Sequence, residues 1–168
     1  KLDLFFTTVY GVASFGRENN PVLFRNEGQF KFSNANAATK LEGLGATYQA
    51  AWADFDNDGD LDLMAAGRFF VNSGNKNHWL RIKLESKKRK VNRFAVGAQV
   101  RIKLSNGKIL SRQVESGTGQ GNQNELTLHF GLGSYDQPVN VEIFWPDGTI
   151  LNLEGIPVDQ RFIFNLNN

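Results

Sequence analysis

The chain has 168 residues, 40% of them hydrophobic and 21% charged, enough apolar material for one ordinary core or two small ones and too much for a disordered polypeptide. Its 19 Lys and Arg against 17 Asp and Glu leave a formal charge of +2, so no global field steers it toward nucleic acid or an anionic membrane. The apolar runs fall far short of the roughly 20 residues a membrane span needs, and the absence of cysteine excludes disulfides, thiolate nucleophiles and Cys-ligated metals.

The first residues lack the zones of a secretion signal, so the chain reads as a mature product or a fragment. Apolar, β-favouring stretches at residues 2–10, 22–25, 29–32, 50–53, 61–66 and 69–71 predict many short strands. Residues 36–41, with Ala37 and Ala38, allow a minor helix too short to stand alone. An internal echo lays Lys1-Leu2-Asp3-Leu4-Phe5 on Asp60-Leu61-Asp62-Leu63-Met64. A second pair, Phe24-Arg25-Asn26-Glu27-Gly28 and Phe70-Val71-Asn72-Ser73-Gly74, has a different offset, so the repeat is imperfect and an insertion around residues 10–21 is implied.

The most informative segment is Asp54-Phe55-Asp56-Asn57-Asp58-Gly59-Asp60-Leu61-Asp62, which crowds five carboxylates into one loop. Like charges about 4 Å apart repel by roughly 1 to 4 kcal/mol per pair at effective dielectrics of 80 to 20, so the crowding calls for a cation. Hard oxygen donors at alternate positions suit Ca²⁺, and glycine at the sixth place permits the sharp turn that aims them inward. The expected ligands are the side chains of Asp54, Asp56, Asp58 and Asp62 and the carbonyl of Asp60. An EF-hand would need a bidentate Glu at the twelfth position, which is Ala65 here. Mg²⁺, which prefers octahedral geometry with retained waters, and a solvated acidic turn without an ion are the alternatives.

Residues 1–76 carry 7 basic and 9 acidic side chains and residues 77–168 carry 12 and 8, and Asn72-Ser73-Gly74-Asn75-Lys76-Asn77 has the composition of a turn or linker, so the chain is divided there into 1–76 and 77–168. Beyond the division, Leu80, Ile82 and Leu84 alternate with Arg81, Lys83 and Glu85, and Val100, Ile102 and Leu104 with Gln99, Arg101 and Lys103. Such alternation predicts half-buried strands. Asn106-Gly107 predicts a hairpin into residues 109–114, and further strands are expected at 126–130, 139–145, 149–153 and 160–166. The expected class is all-β: a region of many short strands followed by an antiparallel sandwich or barrel.

Other signals carry less. Lys87-Lys88-Arg89-Lys90, with Arg93 nearby, could contact a polyanion, although a solvated loop is the simpler reading. Gly117, Gly119 and Gly121 precede a strand and not a helix, which argues for a turn over a phosphate loop. His78 and His129 read as structural, and no nucleophile with a base can be assembled, so an enzyme is not expected. Trp52, Trp79 and Trp145 read as core before sugar platforms.

Residues 51–63 resemble the calcium loop of FG-GAP/VCBS repeats, the blades of integrin-type β-propellers. Residues 77–168 resemble the ASPIC/UnbV domain that follows such repeats in the cartilage acidic protein family and its bacterial relatives. The motifs that carry this second likeness are Asn77-His78-Trp79-Leu80-Arg81, Asn92-Arg93 with Val96-Gly97-Ala98, Ser116 to Gly121, Leu128-His129-Phe130-Gly131-Leu132-Gly133 and Trp145-Pro146-Asp147-Gly148. The resemblance implies an extracellular or cell-surface, non-enzymatic recognition, adhesion or assembly module stabilised by Ca²⁺, with a protein or glycan partner. About one and a half blades cannot close a propeller, and an incomplete blade exposes strand edges, so pairing between copies is an expected route to homo-assembly. The alternatives are a subunit of an extracellular polymer, a carbohydrate-binding module of a larger secreted protein, and a hydrolase using the loop's metal.

Overall fold

The computed structural model describes residues 1–12 and 14–167. Two compact units emerge, one formed by residues 1–51, 63–70 and 119–122 and the other by residues 52–62, 71–118 and 123–168. The acidic loop is thus a part of the second unit, so the units do not follow a linear cut at residue 76.

In the first unit, β1 (Leu4–Phe6), β2 (Val22–Gly28) and β3 (Lys31–Asn34) form an antiparallel sheet in that order, with Leu4 opposite Phe24 and Phe24 opposite Asn34. Phe6 packs edge-on against Phe24 at 5.9 Å between ring centroids. β4 (Ala50–Ala53), β5 (Asp62–Ala65) and β6 (Arg68–Phe70) form a second three-stranded sheet. The β5–β6 hairpin places Leu63 opposite Phe70. Within residues 36–41, where the sequence allows a minor helix, residues 36–40 form a turn. The Asn36 side chain anchors the segment beside β2, accepting from the Leu23 N–H at 2.8 Å and donating to the Pro21 carbonyl at 2.8 Å, while the Asn36 N–H is taken by the Asn34 side chain at 2.9 Å in a local turn.

The second unit holds two sheets around one core. One contains β10 (Leu128–Gly133), β7 (His78–Ser86) and β13 (Gln160–Leu166) in that order; the other contains β12 (Ile150–Ile156), β11 (Val139–Phe144), β8 (Gln99–Lys103) and β9 (Ile109–Gln113). Leu80, Ile82, Leu128 and Phe130 from the first sheet and Val100, Ile102, Val141 and Ile143 from the second belong to one buried cluster, so the unit is a sandwich and not a closed barrel. Burying an aliphatic side chain of this size stabilises by about 1.5–3 kcal/mol before chain entropy is counted. The β8–β9 hairpin turns at Asn106-Gly107, where Gly107 has φ +81° and the Asn106 side chain accepts from the Lys108 N–H at 3.0 Å. One pairing departs from the expected antiparallel pattern, because β13 runs parallel to β7, with Phe162 beside Ile82. Among the described residues no helix is long and apolar enough to cross a membrane.

Candidate metal centre

The acidic loop spans the end of β4 to the start of β5, and its backbone takes a positive φ at Asn57 (+63°) and Gly59 (+96°). Asp54, Asp56 and Asp58 each bring one carboxylate oxygen to within 4.8 Å of the others. Asp54 is buried and its two oxygens are treated unequally. Oδ2 accepts from the Gly59 N–H at 2.9 Å and from Arg81 Nη1 at 2.7 Å, whereas Oδ1 is buried with no partner among the described residues. An orphaned buried carboxylate oxygen costs several kcal/mol unless something charged meets it. Asp56 and Asp58 are exposed and also support the turn: Asp56 accepts from the Asp58 N–H at 3.3 Å and Asp58 from the Asp60 N–H at 2.9 Å. Burial, then the charge of Asp58, pushes the Asp60 carboxyl above the usual carboxylate range. Asp62 is 2% exposed, and both its oxygens take backbone amides, Oδ2 from Phe55 at 2.9 Å and Oδ1 from Asn72 at 2.8 Å. The five predicted residues therefore divide into three whose carboxylates converge, one that lies beside them, and one that ties the loop's two ends to the backbone.

One face of the β7–β10 pair forms the loop's seat. Arg81 lies directly opposite His129 in the register, and Trp79 opposite Gly131. The guanidinium of Arg81, 1% exposed, forks onto Glu125 at 2.8 and 2.7 Å through Nη2 and reaches Asn57 Oδ1 at 3.1 Å through Nη1, besides its contact with Asp54. His129 Nε2 lies 2.7 Å from the Gly59 carbonyl. Burial lowers the His129 pKa, and a carbonyl can only accept, so the imidazole is neutral and donates from Nε2–H. A Cβ on Gly59 would fall 2.0 Å from Trp79 Cε2, so the loop lies flat on the indole and only glycine fits. Glu125 also holds the loop's entry: its carboxylate accepts from the Asp54 N–H at 3.3 Å and its own N–H donates to the Trp52 carbonyl at 2.9 Å.

Arg81, Glu125, His129 and Trp79 were not predicted as parts of this site. The available signal was the run Asn77-His78-Trp79-Leu80-Arg81, which places a cation on an otherwise ordinary strand; nothing in the sequence pairs it with residue 54.

The internal echo is reproduced bond for bond. Asn26 donates its N–H to Asp3 Oδ1 at 2.8 Å and its side-chain amide to the Leu2 carbonyl at 2.9 Å, and its own oxygen accepts from the Gly28 N–H at 2.9 Å. Asn72 does the same with Asp62 at 2.8 Å, Leu61 at 3.4 Å and Gly74 at 3.2 Å. Lys1, which occupies the place of Asp60 in the echo, lies against Gly28 as Asp60 lies against Gly74. The Asp–Asn lock is therefore shared by both copies of the echo.

The remaining candidates are dispersed. Lys87, Arg89 and Lys90 are exposed in the loop after β7, while Lys88 turns to Asp147 at 3.4 Å. His78 pairs with Asp159 at 2.7 Å. Trp145 is buried in the core and Trp79 covers Gly59, which leaves Trp52 as the tryptophan lining a cleft of about 190 Å³ with Arg112, Glu115, Asn124, Glu125 and His129.

A repeat-borne acidic loop and a β-sandwich define a chain that joins two sequence families. Residues 1–65 match the FG-GAP-like repeat family and residues 88–167 match the ASPIC and UnbV family, in the order that the motifs imply. The particular proteins it resembles are cartilage acidic protein 1 of Homo sapiens and of Mus musculus, each 29% identical over 161 residues and 90% of this chain, and that of Xenopus tropicalis, 33% identical over 126 residues and 70% of this chain. The chain spans 24% of the length of the two mammalian relatives and 18% of the amphibian one. Trp79 and Arg81 lie in the interval between the two matched stretches.

Proposed function

We propose that this protein is a non-enzymatic, calcium-stabilised recognition, adhesion or assembly module of the extracellular space. The observation that carries the metal is the bare, buried Oδ1 of Asp54 within a cluster whose other members, Asp56 and Asp58, are exposed acceptors. Ca²⁺ takes six to eight oxygens with flexible geometry, which suits carboxylates of mixed burial together with the Asp60 carbonyl and water. Its role here is structural, because Arg81 and His129 join the loop to the strands beneath it. The extracellular setting is supported by the name of the relatives, which places them with cartilage, a matrix tissue.

The partner is a protein or glycan surface. Self-association through strand edges is supported by β3, an edge strand whose four residues are all exposed, Phe32 among them.

Calorimetric titration tests the metal directly. Calcium should bind one site per chain, and extracellular modules of this chemistry bind at about 10⁻⁴ to 10⁻³ M. The Asp56→Ala/Asp58→Ala variant should lose the heat and melt at the same temperature with or without calcium. Saturable binding that survives this pair of substitutions would place the ion elsewhere, and binding of Mg²⁺ in preference to Ca²⁺ would reassign the metal.

A further inference from the structure

We infer that Arg81, a residue of the sandwich strand β7, is the positioning residue of the cation site, fixing the Asp54 carboxylate so that Oδ1 faces the ion; the inference rests on the calcium reading above. A free aspartate can rotate about χ2 and offer either oxygen. Here Oδ2 is held from two directions, by Arg81 Nη1 at 2.7 Å and by the Gly59 N–H at 2.9 Å, and Oδ1 alone is left bare. Arg81 is itself unable to swing away, since Nη2 grips both oxygens of Glu125 and Nη1 is shared with Asn57. The planar fork matters more than the charge: a guanidinium can hold two carboxylates in fixed directions, whereas an ammonium is a point charge that follows one of them. The metal loop's geometry is therefore imposed by the strand beneath it, through a residue remote in sequence that is not a ligand.

The test uses Tb³⁺ alone as the probe, titrated into the whole chain in calcium-free buffer and read by luminescence, because a trivalent lanthanide keeps weakened oxygen sites measurable. Near-UV circular dichroism confirms that each variant retains its fold. Removing an outer partner of a metal ligand typically lowers affinity about 10- to 100-fold, and R81K, which keeps the charge and loses the fork, is expected in that range. Because Arg81 acts through Asp54, R81K should change affinity less than about twofold in a D54N background, yet still weaken binding by about tenfold or more in a D58N background. A purely structural role would give the same factor in both backgrounds and would overturn the inference. So would wild-type affinity in folded R81K. If R81K fails to fold, E125Q, which leaves Arg81 in place with a loosened anchor, should still weaken Tb³⁺ binding, and unchanged affinity there would overturn the inference. Absence of saturable binding in the wild type would sink the calcium reading and this inference with it, whereas wild-type binding indifferent to residue 81 sinks the inference alone.

Discussion

Gly59→Ala is the most revealing single substitution in the loop, because glycine is required there for two separable reasons. The backbone φ of +96° is one that L-residues rarely adopt, and holding alanine in such a region costs about 1–3 kcal/mol. The added Cβ would also sit 2.0 Å from Trp79 Cε2 and 2.1 Å from its Nε1, so the loop must lift from the indole. Overpacking of that kind costs about 1–3 kcal/mol. Lifting stretches the 2.7 Å bond from His129 to the Gly59 carbonyl, worth about 1 kcal/mol. The expected total is about 3–7 kcal/mol, which corresponds to a fall in melting temperature of at least about 6 °C. Gly107→Ala is the matched control: its φ of +81° is also positive, but nothing lies within 4 Å of the added Cβ, so only the backbone term applies. Urea unfolding of both variants in EDTA separates the terms. Gly59→Ala should be the more destabilising by about 2 kcal/mol or more, and Trp79→Ala should relieve part of the difference in the double variant. If the two glycine variants unfold at the same urea concentration, the loop does not rest on Trp79 and the seat described above is wrong.

Other outcomes follow from the same geometry. Asp62→Ala leaves two backbone amides without their charged acceptor and should destabilise by about 2–4 kcal/mol in EDTA, a condition under which Asp56→Ala should change stability by less than about 1 kcal/mol; equal effects in chemical unfolding would dissolve the distinction between lock and ligand. Because the folded His129 pKa lies below its ordinary value of 6.5, the unfolded chain binds the proton more readily, and stability should fall as pH drops below about 6.5. His129→Gln can still donate to Gly59 and should flatten the melting-temperature profile between pH 7 and about 5.5, and an unchanged profile would remove His129 as the cause.

Strand positions were legible because most strands of the sandwich have a polar outer face. Val100 and Ile102 are buried while Gln99, Arg101 and Lys103 are exposed, as period two requires, and Asn106-Gly107 marks its own turn. β7 breaks the rule in an instructive way. Leu80, Arg81 and Ile82 are all buried, since the core covers one face and the acidic loop lies on Arg81 from the other, so a residue that alternation assigns to solvent carries an internal ion pair. Alternation also fixes which face a residue takes without naming the neighbouring strand or its direction, which is why the parallel pairing of β13 with β7 was not foreseen. In the acidic loop, the spacing of the carboxylates in the sequence matched a convergence of Asp54, Asp56 and Asp58 in the fold. The division of labour among them was hidden: Asp56 and Asp62 look equivalent in sequence, and only the fold shows one carboxylate exposed at the cluster and the other bonded to the amides of Phe55 and Asn72.

The most direct measurement is a crystal structure grown in about 10 mM CaCl₂ with an anomalous difference map, a concentration well above the dissociation constants common for such modules. The account predicts one peak with oxygens of Asp54, Asp56 and Asp58 and the Asp60 carbonyl at about 2.3–2.6 Å, the Asp54 contact being through Oδ1 while Arg81 keeps Oδ2. An empty loop at that concentration, or an ion bound with Arg81 turned away from Asp54, would contradict it.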